Sequence, residues 1–207
     1  MSDNLPKLEK GQIYHIYNQG NNKERLFISE ENRRFFLELF KQYISQMCDV
    51  YAYCLLRNHF HFLLKFREDS KFENGKLHYP FSHFFNAYAQ AFNKEQSRSG
   101  SLFRGRFKRT LITDEDHFMT ALLYVHLNPV KHKFSNSVFD FPWSSYNAYF
   151  NEAESWLDKK FVLSKVGGKD NFAAIHLQRK EEIIAMRSFE DWGEESKPSK
   201  GLEPFEG

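Results

Sequence analysis

Hydrophobic and polar positions roughly alternate along residues 58–65 of the chain. A period of two is typical of a β-strand, whose successive side chains leave on opposite faces. His59 and His61 are two positions apart, so they point to the same face of a sheet, and the phenylalanines that follow them point into the core. A strongly β-forming run at 50–56 ends close to this segment, so we predict that the two strands form a hairpin.

The same patterns place the elements before and after the hairpin. Residues 12–19 alternate as a first strand, with His15 and Tyr17 on one face. Apolar residues at helical spacing then follow Ser29, which suits an N-cap because two glutamates come directly after it. A second helix follows the hairpin, and residues 102–111 alternate again, which predicts a fourth strand.

A third predicted helix carries two further polar side chains of interest. It begins after Thr113, where acidic residues fill the first turn. We expect it to end near Asn128, because Pro129 disfavours helical geometry in the residue before it. Tyr124 and Asn128 are four residues apart, so they lie one above the other on one face of this helix.

The order of elements is β-α-β-β-α-β-α, and its first six elements match the split βαβ pattern of ferredoxin-like folds. We therefore predict an α+β fold with an antiparallel sheet, two helices on one face and the third helix at the edge of the other face or across it. Residues 1–150 are assigned to this domain, and residues 151–207 to a helical extension and an acidic tail. Helices are expected within 155–164 and 169–187, and 192–207 is expected to be mobile.

Composition supports a globular protein of one sizeable domain with an extension. The chain has 207 residues, of which 41% are hydrophobic and 17% aromatic. Its two cysteines, Cys48 and Cys54, lack CxxC spacing and are interpreted as reduced thiols. No apolar run reaches the ~20 residues that a membrane span needs, and the first residues do not form a signal peptide. We therefore expect a cytoplasmic protein with no membrane partner.

Positive charge is concentrated in one stretch, although the net charge is only +2. Arg104, Arg106 and Lys108 share one face of the predicted fourth strand, and Arg98 and Arg109 lie nearby without an intervening acid. A row of like charges repels itself, so a polyanion such as DNA is a reasonable partner. The alternative interpretation is a solvated strand face.

The histidine pair and the third helix together suggest a metal site. His59 and His61 each offer a neutral ring nitrogen, and Asn128 can add an oxygen if the helix packs nearby. Such a set suits Mg²⁺, Mn²⁺ or Zn²⁺ acting as a Lewis acid on a phosphoryl oxygen. Tyr124 is then a candidate nucleophile, which needs activation because its free pKa is about 10. The alternative is two histidines on a wet sheet face and an ordinary helix tyrosine.

The chain resembles the single-tyrosine HUH transposase family, and most nearly its REP-associated tyrosine transposases and small insertion-sequence relatives. The resemblance is carried by residues 58–61 (Asn-His-Phe-His) and 124–131 (Tyr-Val-His-Leu-Asn-Pro-Val-Lys), and also by 14–20 and 105–108. It covers roughly residues 10–150. A lone His-hydrophobic-His is a weak signal, but its combination with Tyr-x-x-x-Asn-Pro at a helix end, in this order of elements, is specific.

The resemblance implies a role for each candidate residue. His59, His61 and Asn128 correspond to the metal ligands of the family, with Mg²⁺ or Mn²⁺ as the expected ion and Zn²⁺ the less favoured one. Tyr124 corresponds to the nucleophile, which cuts single-stranded DNA in or beside a hairpin and leaves a 5′-phosphotyrosine and a 3′-hydroxyl. Some relatives carry Gln or His in place of the asparagine, which leaves the metal preference open.

Three functions remain open from the sequence. The leading hypothesis is a DNA-nicking and strand-transfer enzyme, which the family resemblance allows to act as a monomer or as a homodimer with exchanged tyrosine helices. A second is a domesticated DNA- or RNA-binding module on the same fold. A third is a metal-dependent phosphodiesterase in which water attacks in place of Tyr124.

Overall fold

One antiparallel sheet organises the chain, which a computed structural model describes over residues 5–153 and 155–186. Its strands are β1 (Ile13–Gln19), β2 (Cys48–Leu55), β3 (His59–Phe66) and β4 (Lys108–Ile112). They are hydrogen-bonded in the order β2-β3-β1-β4, and every neighbouring pair is antiparallel. This is the strand order of the split βαβ arrangement, so the predicted α+β, ferredoxin-like class is confirmed.

The helices are α1 (Glu30–Tyr43), α2 (Tyr79–Glu95), α3 (Glu115–Lys131), α4 (Lys159–Val166), α5 (Lys169–Gln178) and α6 (Lys180–Ala185). Ser29 caps α1 as predicted. Its side chain accepts a hydrogen bond from the backbone N–H of Asn32, and the side chain of Asn32 accepts one in return from the backbone N–H of Ser29.

Helices cover both faces of the sheet. On one face, α1 and α2 pack phenylalanines against β3, and the rings of Phe40 and Phe62 stack at 3.9 Å between centroids. On the other face, α3 crosses β2 and β3, and Leu122 and Val125 share a buried cluster with Leu63. The third helix therefore lies across the second face, so the histidine face of β3 is buried by α3.

The fourth strand is shorter than the alternation predicted. Residues 102–111 were expected to be extended, but β4 begins only at Lys108. Gly105 has a φ of +60°, in the left-handed region, so the chain turns before the strand begins. The turn nevertheless shows the alternation of a strand, because the side chains of Phe103 and Phe107 are buried in the core on either side of it. Arg104 and Arg106 consequently lie on an exposed loop.

The third helix is longer than predicted. It was expected to end near Asn128, but α3 includes Pro129 and ends at Lys131. A proline in the last turn removes one backbone hydrogen bond, but the following turn still closes because the backbone N–H of His132 donates to the carbonyl of Asn128 at 3.0 Å. The extra turn adds Lys131 and His132 to the end of the helix that carries Tyr124.

The C-terminal extension folds against α3. The predicted helix at 155–164 is α4, and the predicted helix at 169–187 is divided into α5 and α6. Phe172 and Ile183 are fully buried in the same cluster as α3. The predicted mobile segment at 192–207 lies outside the described residues. Within the described residues, no helix is both long and apolar enough to cross a membrane.

Candidate active site

The two histidines of β3 face the underside of α3 next to the end of β1. His59 is paired with Gln19 and His61 with Tyr17 in the antiparallel register. His61 is only 1% exposed, and His59 is partly buried at the mouth of the site. Alternation along β3 therefore places both imidazoles on one face, as predicted. At His61, however, that face is closed to solvent.

His59 and Asn128 approach each other from different elements. Nε2 of His59 lies 3.3 Å from Oδ1 of Asn128, and Nδ1 of His59 lies 2.8 Å from Oδ1 of Asn58. An amide oxygen only accepts, so Nδ1 carries the ring proton if it bonds to Asn58, and Nε2 is then bare. In that tautomer both facing atoms are acceptors, and their 3.3 Å separation is the spacing of neighbouring ligands of one ion held at about 2.1 Å.

His61 offers a second ring nitrogen to the site. Its Nδ1 lies 2.9 Å from Nε2 of His15, and its own Nε2 is buried without a hydrogen-bond partner. The amide nitrogen of Asn128 is likewise buried and without a partner. Among the described residues, no group of three or more His, Cys, Asp or Glu side chains is placed to hold a metal. His59, His61 and Asn128 fit a divalent ion that accepts nitrogen and oxygen ligands.

Burial keeps these imidazoles neutral. It lowers the pKa of His59 to about 4, with the nearby His132 adding to the effect. It lowers the pKa of His61 well below its ordinary value, and neighbouring histidines lower it further. A neutral imidazole is the form that binds a metal, so both rings are in the ligating state at neutral pH.

Tyr124 lies beside this set in the same chain. Its ring meets the ring of His61 edge-on, with 5.6 Å between centroids, and that of His15 at 6.0 Å. The ammonium of Lys131 lies 5.3 Å from the centroid of the Tyr124 ring. The helical spacing of Tyr124 and Asn128 thus brings both side chains to the histidine pair, and one chain supplies all four residues.

A cleft of about 780 Å³ opens over these residues, with His59, His61 and Tyr124 in its lining. Its cationic lining residues are Lys23, Arg104, Arg106, Lys108 and Lys131. No aspartate or glutamate belongs to its lining in the described part of the chain. The cleft is therefore electropositive and suits a phosphate backbone.

The five cations predicted to bind DNA are not all at the cleft. Arg104, Arg106 and Lys108 line it, whereas Arg98 and Arg109 do not. Arg98 lies 2.6 Å from a carboxylate oxygen of Glu24. Arg109 lies on the opposite face of β4 from Lys108, and its Nε donates to the carbonyl of Pro6 at 2.5 Å. The structure therefore gathers three of the five at the candidate site.

Three residues of the site had no role in the sequence interpretation: His15, Lys131 and His132. His15 was placed on one face of the first strand, but its contact with His61 depends on the β1–β3 register, which the sequence does not reveal. Lys131 and His132 were missed because the helix was expected to end at Asn128. A helix continued through Pro129 places Lys131 seven positions after Tyr124, on nearly the same line.

A ferredoxin-like sheet with two histidines on one strand, faced by a tyrosine and an amide on one helix, is the arrangement expected of single-tyrosine HUH proteins. No family profile matches the chain. A protein of Haemophilus influenzae described as a REP-associated tyrosine transposase is 28% identical over 122 residues, which cover 54% of this chain and 69% of that protein. The family resemblance is thus confirmed: the chain is related to the REP-associated tyrosine transposases.

A solved structure shares the fold. It is a REP-associated tyrosine transposase bound to a REP hairpin, and it superposes with a TM-score of 0.56 at 18% sequence identity. The superposition covers 76% of this chain and 94% of the other. The match therefore extends over nearly all of that protein and leaves about a quarter of this chain outside it.

Proposed function

We propose that this chain is a metal-dependent DNA endonuclease and strand-transfer enzyme in which Tyr124 attacks single-stranded or hairpin DNA. The observation that carries the proposal is the position of Tyr124, whose ring lies 5.6 Å from that of His61 within a cation-lined cleft. The relatedness to REP-associated tyrosine transposases supports the same reaction class. The hairpin bound by the structural neighbour supports a hairpin-containing DNA as the substrate.

The cleft supplies the contacts that such a substrate needs. Arg104, Arg106 and Lys108 line the cleft and would neutralise backbone phosphates of the bound strand. Phe134 lines the same cleft with 43% of its surface exposed, so its ring can stack on an unpaired base. Phosphate contacts together with base stacking favour single-stranded DNA, and neither kind of contact distinguishes strongly between bases.

His59, His61 and Asn128 would hold Mg²⁺ or Mn²⁺, with Zn²⁺ as the second choice. When bound, the ion supplies Lewis-acid stabilisation of charge on the phosphoryl group. The protein pre-orients the two histidine ligands. Asn58 contacts the ring of His59 at 2.8 Å, and His15 contacts the ring of His61 at 2.9 Å.

Tyr124 carries out the substitution at phosphorus. Its phenolic oxygen forms a bond to phosphorus as the bond from phosphorus to the 3′ oxygen breaks. The phenolic proton is released, and the departing 3′ oxygen takes up a proton to become a hydroxyl. Lys131, 5.3 Å from the centre of the ring, favours the developing phenolate. One phosphodiester is exchanged for another, so the 3′-hydroxyl can later attack and rejoin strands without an energy source.

The test is incubation of the full chain with hairpin-containing single-stranded DNA and Mn²⁺, followed by a denaturing gel. The wild type is expected to give a protein–DNA adduct that survives denaturation. Tyr124→Phe is expected to lose the adduct and to keep DNA binding, whereas Tyr17→Phe, which removes another phenol of the cleft, keeps both. An adduct formed by Tyr124→Phe would refute the assignment. Metal-independent binding with no adduct would indicate a binding module, and phosphodiester turnover that survives Tyr124→Phe would indicate a water nucleophile.

A further inference from the structure

His15 is an unexpected residue for the centre of a sheet. It lies in the middle of β1, is 0% exposed, and is flanked in sequence by the buried residues Tyr14 and Ile16. A buried polar ring is costly unless it is hydrogen-bonded, so an aliphatic residue would fill this position at lower cost. The ring of His15 has a specific partner instead, because its Nε2 lies 2.9 Å from Nδ1 of His61.

His15 contacts both chemical parts of the candidate site. Its ring lies nearly parallel to that of His61, with 5.1 Å between centroids and 12° between planes. The ring of Tyr124 meets it edge-on at 6.0 Å. His15 thus contacts β3 through His61 and α3 through Tyr124. In this position it can fix the orientation of the His61 ring.

We infer that His15 is a positioning residue that accepts a hydrogen bond from Nδ1–H of His61 and so holds His61 in the tautomer whose Nε2 is bare and able to ligate a metal. The inference rests on the proposed function for the identity of the ligand. The contact itself is independent of that function, since its 2.9 Å length requires one of the two facing nitrogens to carry a proton.

The opposite direction of this hydrogen bond, with His15 as the donor, would prevent His61 from binding a metal. If Nε2 of His15 donated to Nδ1 of His61, the proton of His61 would reside on its Nε2. A protonated ring nitrogen has no free lone pair, so His61 could not bind a metal through that atom. Only the polarity with His15 as acceptor gives the site a usable second nitrogen ligand.

The chain contains a matched control for this pair. His126 and His176 are also fully buried, and Nδ1 of His126 lies 2.9 Å from Nε2 of His176. This pair connects α3 to α5, and neither histidine lines the cleft. Replacing His176 therefore removes one member of a buried histidine pair with the same spacing, outside the proposed metal set.

The first test is the tautomer of His61 in the metal-free chain. Long-range ¹H–¹⁵N correlation spectra of protein labelled at histidine distinguish Nδ1–H from Nε2–H in each ring. We expect His61 to carry its proton on Nδ1 in the wild type. A proton on Nε2 would overturn the inference, whether or not the protein cuts DNA. This measurement needs no variant, so it decides the matter even if substitutions at position 15 fail to fold.

The second test is Mn²⁺ affinity, measured by electron paramagnetic resonance on the full chain without DNA. His15→Leu is expected to weaken binding roughly 10–100-fold, the usual effect of losing a residue that orients a metal ligand. His15→Gln retains an oxygen that accepts from His61, so it should recover most of the affinity. His176→Leu should lower the melting temperature and leave Mn²⁺ affinity unchanged.

The outcomes separate this inference from the proposed function. Unchanged affinity in His15→Leu, or an equal loss in His176→Leu, would show that His15 has no special role and overturn the inference. Failure of His15→Gln to recover affinity would count against it equally. A wild-type chain that binds no Mn²⁺ would overturn the proposed metal chemistry, and the tautomer spectrum would then still confirm or refute the hydrogen-bond polarity.

Discussion

Nε2 of His59 lies 3.3 Å from Oδ1 of Asn128, although 69 positions separate the two residues in the chain. The strand β3 presents the imidazole, and α3, which crosses the sheet, presents the amide. When Nδ1 of His59 donates to Asn58, both facing atoms are acceptors, so they repel each other unless a cation lies between them. This pair is therefore the most direct probe of a metal site in the chain.

Substitution of Asn128 should separate metal binding from stability. Asn128→Leu removes the oxygen donor, and we expect Mn²⁺ affinity measured by titration calorimetry to fall at least about tenfold. In the absence of metal the same variant should be as stable as the wild type or more stable, because the unpartnered amide nitrogen is buried and costs about 1–3 kcal/mol.

Asn128→Asp is the matched variant. It keeps the oxygen and adds a negative charge, so Mn²⁺ affinity should be retained or increased, and the metal-free protein should be less stable because the carboxylate is buried. Equal Mn²⁺ affinity in the leucine and aspartate variants would show that position 128 does not ligate the ion.

Three of the five cations that line the cleft, Arg104, Arg106 and Lys108, should contribute to DNA affinity through salt-dependent contacts. Arg104→Ala and Arg106→Ala should each weaken binding to a hairpin-containing single strand. Each should also reduce the slope of log affinity against log salt concentration by about 0.7–0.9. Arg98→Ala is the control, since Arg98 is paired with Glu24 and does not line the cleft. Fluorescence anisotropy at several salt concentrations measures the slopes, and an equal change in all three variants would contradict the cleft as the DNA site.

Local periodicity was sufficient to predict the parts of the site that lie on regular elements. Alternation in β3 places His59 and His61 on one face, and a spacing of four in α3 places Tyr124 over Asn128. These are properties of a single strand and a single helix, so they can be read without tertiary information. The order of elements then predicts the sheet that brings the two together.

The features that the sequence did not reveal depend on competition between local and tertiary preferences. Pro129 marks a helix end by local rules, but in the last turn it removes only one hydrogen bond, and packing of α3 on the sheet outweighs that loss. The alternation before Lys108 resembled a strand because Phe103 and Phe107 are both anchored in the core, although Gly105 turns the chain between them. The contact between His15 and His61 needs the strand register, which is not local.

The phenylalanine core beneath the histidine strand should determine stability without contributing to chemistry. Phe62 is fully buried and stacks on Phe40. Phe62→Ala should lower the free energy of unfolding by about 3–5 kcal/mol, measured by denaturant titration. Phe72→Ala, at a site that is 38% exposed, should change it by no more than about 0.5 kcal/mol. Similar losses in both variants would show that the packing around Phe62 is not the main source of stability.

Buried neutral histidines should make the protein sensitive to mild acid. Burial lowers the pKa of His15 to about 3 and the pKa values of His59 and His176 to about 4. It also lowers the pKa values of His61 and His126 well below the ordinary value of 6.5. At pH 7 all five are neutral in the folded and mostly neutral in the unfolded state, so folding releases few protons there.

The sign of the effect follows from proton counting. Between pH 6.5 and about 4 the unfolded chain binds protons on these rings while the folded chain does not, so the free energy of unfolding falls as pH falls. Urea titrations from pH 7.5 to 4.5 should show a loss that begins near pH 6.5, above the range in which carboxylates titrate. His176→Phe removes one of these groups, so its stability should vary less steeply with pH than that of the wild type. Parallel curves for the two proteins would mean that burial of His176 does not contribute to acid sensitivity.

Divalent metal should stabilise the folded chain by a similar amount from pH 7.5 to pH 5 if His59 and His61 are ligands. Mn²⁺ binds only their neutral forms, and because burial lowers the pKa of His59 to about 4 and that of His61 well below its ordinary value, protons compete little above pH 5. With excess Mn²⁺ the unfolding free energy should therefore exceed that measured in chelator by a similar amount at pH 7.5 and at pH 5. The double variant His59→Ala/His61→Ala is the control, and its curves with Mn²⁺ and with chelator should coincide. A metal-induced stabilisation that persists in the double variant would place the ion elsewhere in the protein.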